Sequence, residues 1–428
     1  MKSLSTQEKS WIMYDWANSA YSMTITSTIL PIYFKMVASN GNMSSSDSTA
    51  LWGYTISLST LVVSLLAPVL GTIADYKGFK KKFFTTFFSI GVISTIALAL
   101  APSDNPYLLL ILYGFCVLGF SGGNIFYDAF LVDVTTNDRM DKVSSYGFAM
   151  GYIGSTIPFI GCMAIVLLTQ QGLLPISLTL ACKLTFLITA IWWGFFTFPL
   201  LKNVKQNYYI EREPHPISNA FKRLGHTFKD IRNYKPIFIF LIAYFFYIDG
   251  VDTIIGMSTS YGIDLGISMS ALLIILLLTQ FVAFPFTILY GKLAKKWGTK
   301  KLLYVGVITY ICICCYGYFI KDVLDFWILA MAVGSAQGGI QAISRSYFAK
   351  LVPKEKSNEF FGFYNIFGKF AAIMGPFLVA VVTQLTGRTN NGIISLIFLF
   401  IIGFITLLFV PNVDSTTLKP EHISNLDT

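Results

Sequence analysis

The sequence predicts an all-α membrane protein with twelve transmembrane helices arranged as two six-helix bundles. Of the 428 residues, 54% are hydrophobic and only 12% are charged, too little charge to cover the surface of a soluble protein. Apolar stretches of about 20 residues, the length that crosses a bilayer core of ~30 Å, recur along the chain. The second half also repeats glycine and lysine positions of the first half, which indicates a duplicated bundle.

Twelve stretches are long and apolar enough to be membrane crossings, and we number them 1 to 12. One long connection separates the first six crossings from the last six. The predicted domains are therefore an N-terminal bundle at 1–201, a cytoplasmic linker at 202–235, and a C-terminal bundle and tail at 236–428. The predicted crossings are 11–37, 50–73, 82–102, 107–133, 144–169, 176–201, 236–259, 268–292, 301–320, 325–349, 358–385 and 392–411.

The basic residues predict the orientation of the chain. Lys and Arg concentrate in loops that stay on the cytoplasmic side of a membrane. If the N-terminus is inside, 25 of the 31 basic residues lie in segments on that same side. We therefore expect a multi-pass membrane protein with both termini cytoplasmic, in the cell membrane if the protein is bacterial. The net charge of +9 is a topology signal and predicts no nucleic-acid partner.

The linker contains the pattern of an amphipathic helix. Apolar residues recur in it at spacings of three and four, and basic residues occupy the rest of the helical wheel. This pattern predicts a helix on the inner membrane surface, serving as a tether between the halves or as a regulatory docking site. The apolar positions are Ile217, Phe221, Leu224, Phe228 and Ile231, and the basic ones are Lys222, Arg223, Lys229 and Arg232.

Two segments carry the clearest internal repeat. GTIADYKGFKK at 71–81 aligns with GKLAKKWGTKK at 291–301 at an offset of 220, matching glycines and a lysine pair. Such duplication predicts two bundles related by an axis along the membrane normal, with a site between them. Further matches at an offset of 215 pair Gly119, Gly123 and Gly147 with Gly334, Gly338 and Gly362.

The first copy of the repeat also predicts a mechanism. Gly71 and Gly78 permit a tight turn that brings crossings 2 and 3 together, and Asp75 can interact with a neighbouring helix end. The lysines that follow are expected at anionic headgroups. The segment resembles the signature of the major facilitator superfamily, Gly-x-x-x-Asp-x-x-Gly followed by basic residues. In the second copy, Lys295 replaces the counterpart of Asp75, so the gate there cannot use the same contact.

Two further charged residues are candidates for the gate. Asp133, at the inner end of crossing 4, is the expected partner for the basic group Lys77–Lys82. Arg345 lies within crossing 10, where a charge needs a partner. The predicted gating residues are Gly71, Asp75, Gly78, Lys80, Asp133 and Arg345.

Three further motifs narrow the resemblance. YDWANSAY at 14–21, NIFYDAFLVDV at 124–134 and YIDGVDTII at 247–255 together resemble the "unknown major facilitator" family, which includes the autophagy-related vacuolar amino-acid effluxers of fungi. The resemblance implies a secondary transporter that works by alternating access, with amino acids as the leading substrate class. It also implies a monomer, and a central cavity lined by crossings 1, 4, 7 and 10.

Polar residues inside the crossings are the candidates for substrate binding or coupling, because charges in hydrocarbon are costly and usually functional. A zwitterion suits the set, with acids for its ammonium group and Lys369 or Arg345 for its carboxylate. For Asp15, pairing with a lysine or with Arg345 competes with substrate contact. For Asp249, substrate or proton binding competes with a structural pair with Lys369, and Asp252 can share its proton. The candidates are Asp15, Asn18, Asn124, Asp128, Asp249, Asp252, Gln337, Gln341 and Lys369.

Other function classes find little support in the sequence. It contains no His-Glu-x-x-His, Gly-x-Ser-x-Gly or Gly-rich phosphate loop, so no enzyme, cofactor or metal site is expected. All three histidines lie in the linker or tail, so any proton coupling must use carboxylates. The expected partners are a small-molecule substrate, the lipid bilayer and protons. An exporter of drugs or other metabolites, and a non-transporting sensor or scaffold, are the alternatives.

Overall fold

A computed structural model describes residues 4–412, apart from 213, 215, 230–233, 265, 268 and 321. In this part of the chain, eleven helices are long and apolar enough to cross a membrane, and crossing 1 is a further helical run. The predicted all-α transmembrane fold class is therefore confirmed.

The observed helices extend most predicted crossings by a few residues. In the first half, crossings 2 to 6 are Ser45–Ala74, Phe79–Leu100, Pro106–Ala129 with Leu131–Val134, Met140–Gln170, and Leu178–Asn203. In the second half, crossings 7 to 12 are Lys235–Asp264, Met269–Trp297, Thr299–Tyr318, Val323–Leu351, Ser357–Thr386, and Thr389–Ser395 with Ile397–Leu408. A 3-10 turn at Lys354–Lys356 precedes crossing 11.

Crossing 1 differs from the uniform helix that the sequence predicts. It runs as Thr6–Ala20, a π-helical segment Tyr21–Ile29, and Leu30–Asn40. The π-helical segment is rich in Ser and Thr, whose hydroxyls can bond to backbone carbonyls and loosen an α-helix. Thr28 Oγ1 donates to the carbonyl of Met23, five residues earlier, at 2.9 Å, which matches the wider π turn. Hydroxyl residues therefore give crossing 1 a wider helix immediately after the YDWANSAY motif.

The chain forms two compact units, each of which includes a short segment from the other half of the sequence. The first unit comprises Met1–Val134, Met150–Leu224 and Glu355–Gly362. The second comprises Thr135–Ala149, Gly225–Lys354 and Phe363–Thr428. The start of crossing 11 therefore packs within the first unit, and the start of crossing 5 packs within the second.

Aromatic rings and glycines fill the core of the first unit. Trp11 stacks on Tyr127 with ring centroids 4.6 Å apart, and its Nε1 donates to the Tyr127 carbonyl at 2.9 Å. This pair ties crossing 1 to crossing 4. Gly119 of crossing 4 lies against Gly91 of crossing 3, and a Cβ at Gly119 would lie 2.3 Å from the Gly91 nitrogen. The two backbones can approach this closely only without side chains.

The second unit is held by a similar aromatic cluster. Tyr364 of crossing 11 stacks on Tyr244 of crossing 7 at 4.3 Å and on Phe348 of crossing 10 at 4.8 Å. Tyr247 and Ser344 share a hydrogen bond of 2.6 Å between their hydroxyls. Crossings 7, 10 and 11 are thereby joined beside the acidic motif of crossing 7.

The two copies of the repeat form similar turns. Gly78 and Gly298 each precede a helix with a positive φ, 79° and 91°, a backbone conformation that favours glycine. Lys81 donates to the Val204 carbonyl at 2.9 Å at the end of crossing 6. Lys300 donates to the Leu408 carbonyl at 3.1 Å at the end of crossing 12. In both halves, a lysine after the turn therefore satisfies carbonyls at the end of the last crossing.

The linker contains one helix, Pro216–Lys229. We call it the linker helix. Ile217 and Phe221 on its predicted apolar face are exposed. Ile231 and Arg232 of the predicted pattern lie outside the described residues, as does the side chain of Phe228.

Replacement of Gly119 by alanine tests the packing of crossing 4. The new methyl group would meet backbone atoms that cannot rotate away, so Gly119→Ala should destabilise the protein by about 1–3 kcal/mol. The matched control is Gly161→Ala in crossing 5, where no heavy atom of the described residues lies within 4 Å of the added Cβ. Thermal unfolding in detergent should show a lower Tm for Gly119→Ala only. An equal Tm for both variants would contradict the packing described for Gly119.

Candidate functional site

The end of crossing 2 holds the start of crossing 11. The fully buried Asp75 carboxylate accepts hydrogen bonds from Asn358 N at 2.9 Å, Asn358 Nδ2 at 2.8 Å and Glu359 N at 3.2 Å. Backbone N–H groups in the first turn of a helix have no partner within that helix and carry partial positive charge. Asp75 therefore caps crossing 11 from outside the helix.

Gly71 makes this contact possible. A Cβ at Gly71 would lie 2.3 Å from the Asn358 carbonyl oxygen. The sequence predicts that Gly71 and Gly78 together allow the close approach of crossings 2 and 3. The structure divides these tasks, because Gly78 makes the turn with its positive φ while Gly71 admits the backbone of crossing 11.

The pKa of the Asp75 carboxyl is raised to about 7, mainly because burial disfavours its charged form. The nearby Glu359 raises this pKa further, while the hydrogen bonds from Asn358 act in the opposite direction. Asp75 therefore changes its charge near neutral pH while it caps crossing 11.

Lys80 and Asp133 form a buried ion pair in the same unit. Lys80 Nζ lies 2.6 Å from Asp133 Oδ2 and 3.1 Å from Ser357 Oγ, and both charged side chains are fully buried. The expectation that Lys80 lies at lipid headgroups is therefore wrong. Asp133, Ser357 and the Ala129 carbonyl at 3.3 Å supply the partners that make burial of this lysine tolerable.

The beginning of the linker also binds to Asp133. Asp133 Oδ1 accepts the backbone N–H groups of Asn207 at 2.7 Å and Tyr208 at 2.9 Å. Ile210 pairs with the turn after crossing 2, donating to the Asp75 carbonyl at 2.9 Å and accepting from Lys77 N at 3.1 Å. Asp133 therefore joins Lys80, the end of crossing 4 and the linker.

The second unit has a corresponding but chemically different cluster. Asp141, at the start of crossing 5, accepts from Lys350 Nζ at 2.6 Å, Thr299 Oγ1 at 2.8 Å and Ser346 Oγ at 2.6 Å. Gly291 again admits the neighbouring segment, since a Cβ there would lie 2.6 Å from Ser145 Oγ. A salt bridge replaces the helix cap that Asp75 supplies in the first unit.

Arg345 also binds the start of crossing 5. Its Nε donates to Ser144 Oγ at 3.0 Å and its Nη2 to the Ser144 carbonyl at 3.1 Å. The guanidinium lies over the Phe148 ring, 4.2 Å from the centroid. These contacts are within the second unit, and the pairing of Arg345 with Asp15 stays a prediction.

In the first unit, the polar residues of crossings 1 and 4 come together. Asn18 Nδ2 donates to Asn124 Oδ1 at 2.8 Å. Asp15 and Asp128 both lie within electrostatic range of the hydroxyl of Tyr14, which is a buried residue. The four candidate residues predicted in these two crossings therefore belong to one polar region.

Asp249 in the second unit is fully buried against crossing 11. Its Oδ1 accepts from Gly375 N at 2.8 Å and from Thr253 Oγ1 at 3.4 Å. Its Oδ2 is buried and has no hydrogen-bond partner in the described part of the chain. A buried carboxylate oxygen of this kind is costly unless it binds a proton or a cation.

Asp252, one turn further along, occupies a different environment. It is partly exposed, interacts with the Gln341 side chain and lies within electrostatic range of Lys369. The alternative that Lys369 pairs with Asp249 is therefore not the arrangement observed, because the carboxyl that attracts Lys369 is that of Asp252.

A largely apolar cavity of about 340 Å³ lies within the second unit. Thr253, which bonds Asp249, and the candidate residue Gln337 both line it. Most of its other lining residues are aliphatic or aromatic, among them Leu272, Phe326 and Leu329. This cavity can accept an apolar group next to the acids of crossing 7.

Several residues of the two clusters were missed from the sequence, namely Ser357, Asn358, Asp141, Lys350 and Thr299. The repeat could have pointed to them. At the offset of 215, the start of crossing 11 aligns with the start of crossing 5, so a partner found for one helix start predicts a partner for the other.

Comparison with known proteins gives consistent results. The chain matches the family "Vacuole effluxer Atg22 like" over residues 5–417. It is 58% identical over 422 residues to the MFS-type transporter YxiO of Bacillus subtilis (strain 168), covering 99% of both chains. It is 25% identical to the Autophagy-related protein 22 of Saccharomyces cerevisiae (strain ATCC 204508 / S288c), covering 93% of this chain and 90% of that one.

Solved structures show the same fold. The proton:xylose symporter XylE, a major facilitator protein, matches with a TM-score of 0.72 at 12% identity, covering 95% of this chain and 96% of that chain. The major facilitator superfamily transporter FucP, solved in the outward conformation, matches with a TM-score of 0.69 at 12% identity, covering 95% of this chain and 98% of that chain. At these identities the likeness concerns the fold alone.

The stability of the first unit should depend on pH through Asp75. Because burial raises the pKa of Asp75 to about 7, its contribution to stability is fully present below about pH 4 and is lost as pH rises through about 7. The wild-type protein should lose on the order of 1 kcal/mol between about pH 6 and about pH 8, seen as a lower Tm. Asp75→Asn keeps an acceptor oxygen but cannot ionise, so its Tm should fall less. An equally steep fall in this variant would exclude Asp75 as the titrating group.

Proposed function

The chain belongs to the Atg22-like vacuole effluxer family of major facilitator transporters, and from that premise we propose that it carries amino acids or similar small zwitterions by alternating access. The chain is thus an integral, multi-pass membrane protein of a transporter family. Substrate class, proton coupling, cytoplasmic termini and a monomeric state belong to the proposal.

The main support for a zwitterionic substrate is the opposite charge of Asp252 and Lys369. They lie inside the membrane-spanning region of the second unit and attract one another. Opposite charges at membrane depth are costly to keep and commonly mark substrate pathways. A bound zwitterion can take the place of this attraction, because its ammonium group can bind Asp252 and its carboxylate can bind Lys369. Gln341, which interacts with Asp252, can hydrogen-bond the bound substrate.

Asp249 is proposed as the proton site. Its free Oδ2 can accept a proton without disturbing the hydrogen bond that Gly375 N donates to Oδ1. Thr253 connects Asp249 to the cavity wall. Protonation of Asp249 would remove a buried charge between crossings 7 and 11, and so change the stability of their contact.

The two clusters at the helix starts are proposed as gates. Asp75 and Lys80 hold the start of crossing 11, and Lys350 and Arg345 hold the start of crossing 5. Alternating access requires that such contacts break and form again during each cycle. Hydrogen bonds and ion pairs suit this purpose because they are directional and can be exchanged for water.

The cavity beside Asp249 supports a second candidate function, the export of drugs or other apolar metabolites. Its apolar lining could hold an uncharged compound without any use of Asp252 or Lys369. The two candidates differ in their need for the charged pair. Uptake of uncharged apolar compounds that survives Asp252→Asn would favour the second candidate.

Counterflow in proteoliposomes tests the zwitterion site. Vesicles loaded with a pool of unlabelled amino acids should take up a subset of labelled ones in a saturable way. Asp252→Asn and Lys369→Gln should each raise KM roughly 10- to 100-fold, since each removes a charge-assisted hydrogen bond worth about 1.5–3 kcal/mol. Asp104→Asn, in an exposed loop, is the matched control and should leave KM unchanged. Unaltered KM in both charged-pair variants would refute the assignment.

Asp249→Asn tests the proton site. The asparagine Oδ1 can still accept from Gly375 N, so folding and counterflow exchange should be retained. Accumulation driven by an imposed proton gradient should be lost, because no group at this position can ionise. Thr253→Val, which leaves the carboxylate in place, should still accumulate substrate. Normal accumulation by Asp249→Asn would remove this residue from coupling.

A further inference from the structure

The linker helix Pro216–Lys229 has three distinct faces. Ala220 is 1% exposed and packs against the protein, whereas Ile217 and Phe221 are 61% and 55% exposed. Lys222 and Lys229 are also exposed. At 100° per residue, the exposed apolar face lies between the packed face and the basic face.

The charges of the linker helix are all of one sign. Its sequence, PISNAFKRLGHTFK, contains two lysines, one arginine and no acidic residue. An exposed apolar stripe beside a basic stripe is typical of helices that lie among lipid headgroups. Each basic residue near an anionic membrane surface strengthens association about five-fold.

The position of the helix in the chain favours a membrane over a protein partner. The linker helix ends at Lys229, and crossing 7 begins at Lys235. Six residues span at most about 20 Å, so the end of the helix stays close to the bilayer into which crossing 7 enters. The exposed Ile217 and Phe221 therefore have lipid within reach.

One side chain connects the linker helix to the end of crossing 2. Arg223 Nη2 donates to the carbonyl of Thr72, and the guanidinium lies 4.6 Å from the centroid of the Tyr76 ring. Thr72 is buried three residues before Asp75, and Tyr76 directly follows Asp75. A displacement of the linker helix is therefore transmitted through Arg223 to the segment that caps crossing 11.

We propose that the linker helix is a docking site for anionic phospholipid headgroups, and that Arg223 transmits docking to the end of crossing 2. Lys222 and Lys229 bind the headgroup phosphates, while Ile217 and Phe221 enter the acyl boundary. Anionic lipid then stabilises the segment of Thr72 to Tyr76. This regulation is independent of the transported substrate.

A fluorophore on the linker helix tests docking without any transport assay. An environment-sensitive dye is attached at Ser218→Cys, with the exposed Cys312 and Cys315 changed to serine and the four buried cysteines retained. The full chain is placed in nanodiscs of phosphatidylcholine containing increasing phosphatidylglycerol. Emission should shift to the blue as phosphatidylglycerol rises, and high salt should weaken the shift.

The charge variants identify the residues responsible. Lys222→Gln with Lys229→Gln should weaken docking about five-fold per lysine, so that more phosphatidylglycerol is needed for the same emission shift. Lys295→Gln with Lys296→Gln removes the same charge from exposed positions outside the linker and should behave like wild type. Emission that is equal at all lipid compositions, or a lysine variant that matches wild type, would overturn the proposal and assign this face to a protein partner.

Thermal unfolding tests the role of Arg223. Phosphatidylglycerol should raise the Tm of the wild-type protein, and Arg223→Gln should lose this rise while keeping the emission shift. A Tm rise that persists in Arg223→Gln would show that docking is not transmitted through this side chain.

Discussion

The buried Asp75 carboxylate at the start of crossing 11 is the contact on which the arrangement of the first unit depends. It satisfies backbone N–H groups that a helix cannot satisfy itself, and it does so with a charge of the favourable sign. The contact requires Gly71, because any side chain there would meet the Asn358 backbone. Lys80 then binds Ser357 on the same helix start. One short sequence motif therefore supplies the glycine that admits the helix start, the aspartate that caps it and the lysine that binds its serine.

The duplicated halves reach the same geometry with different chemistry. Gly71 and Gly291 both admit a neighbouring helix start. The first unit then uses a carboxylate on backbone N–H groups, whereas the second uses the salt bridge between Lys350 and Asp141. A carboxyl group whose pKa lies near 7 responds to a change around neutral pH. The two helix starts are therefore held by different chemical groups, although both contacts use a glycine at the same position of the repeat.

The sequence predicts the fold far better than the site. Hydrophobic length, basic loops and the repeat are local or additive signals, so the transmembrane fold class could be predicted from them. The family could be predicted from the resemblance of the motifs in crossings 1, 4 and 7. The partners of Asp133 could be predicted only in part. Lys80 belongs to a basic group that is visible in the sequence. The backbone N–H groups of Asn207 and Tyr208 are present in every residue except proline, so no sequence pattern identifies them as partners. The inclusion of Glu355–Gly362 in the first unit and of Thr135–Ala149 in the second could not be predicted from the sequence either, because it depends on how the folded chain packs.

The two aspartates of crossing 7 show why their positions in the sequence alone could not distinguish their roles. Asp249 and Asp252 are one turn apart and look equivalent in the sequence. Helix rotation turns Asp249 against the backbone of crossing 11, where Gly375 N binds it, and leaves Asp252 partly exposed beside Lys369. A substrate could reach Asp249 only by displacing a helix contact, whereas Asp252 can exchange one partner for another. Burial therefore suits the first acid for a proton, which needs no space, and exposure suits the second for a solute.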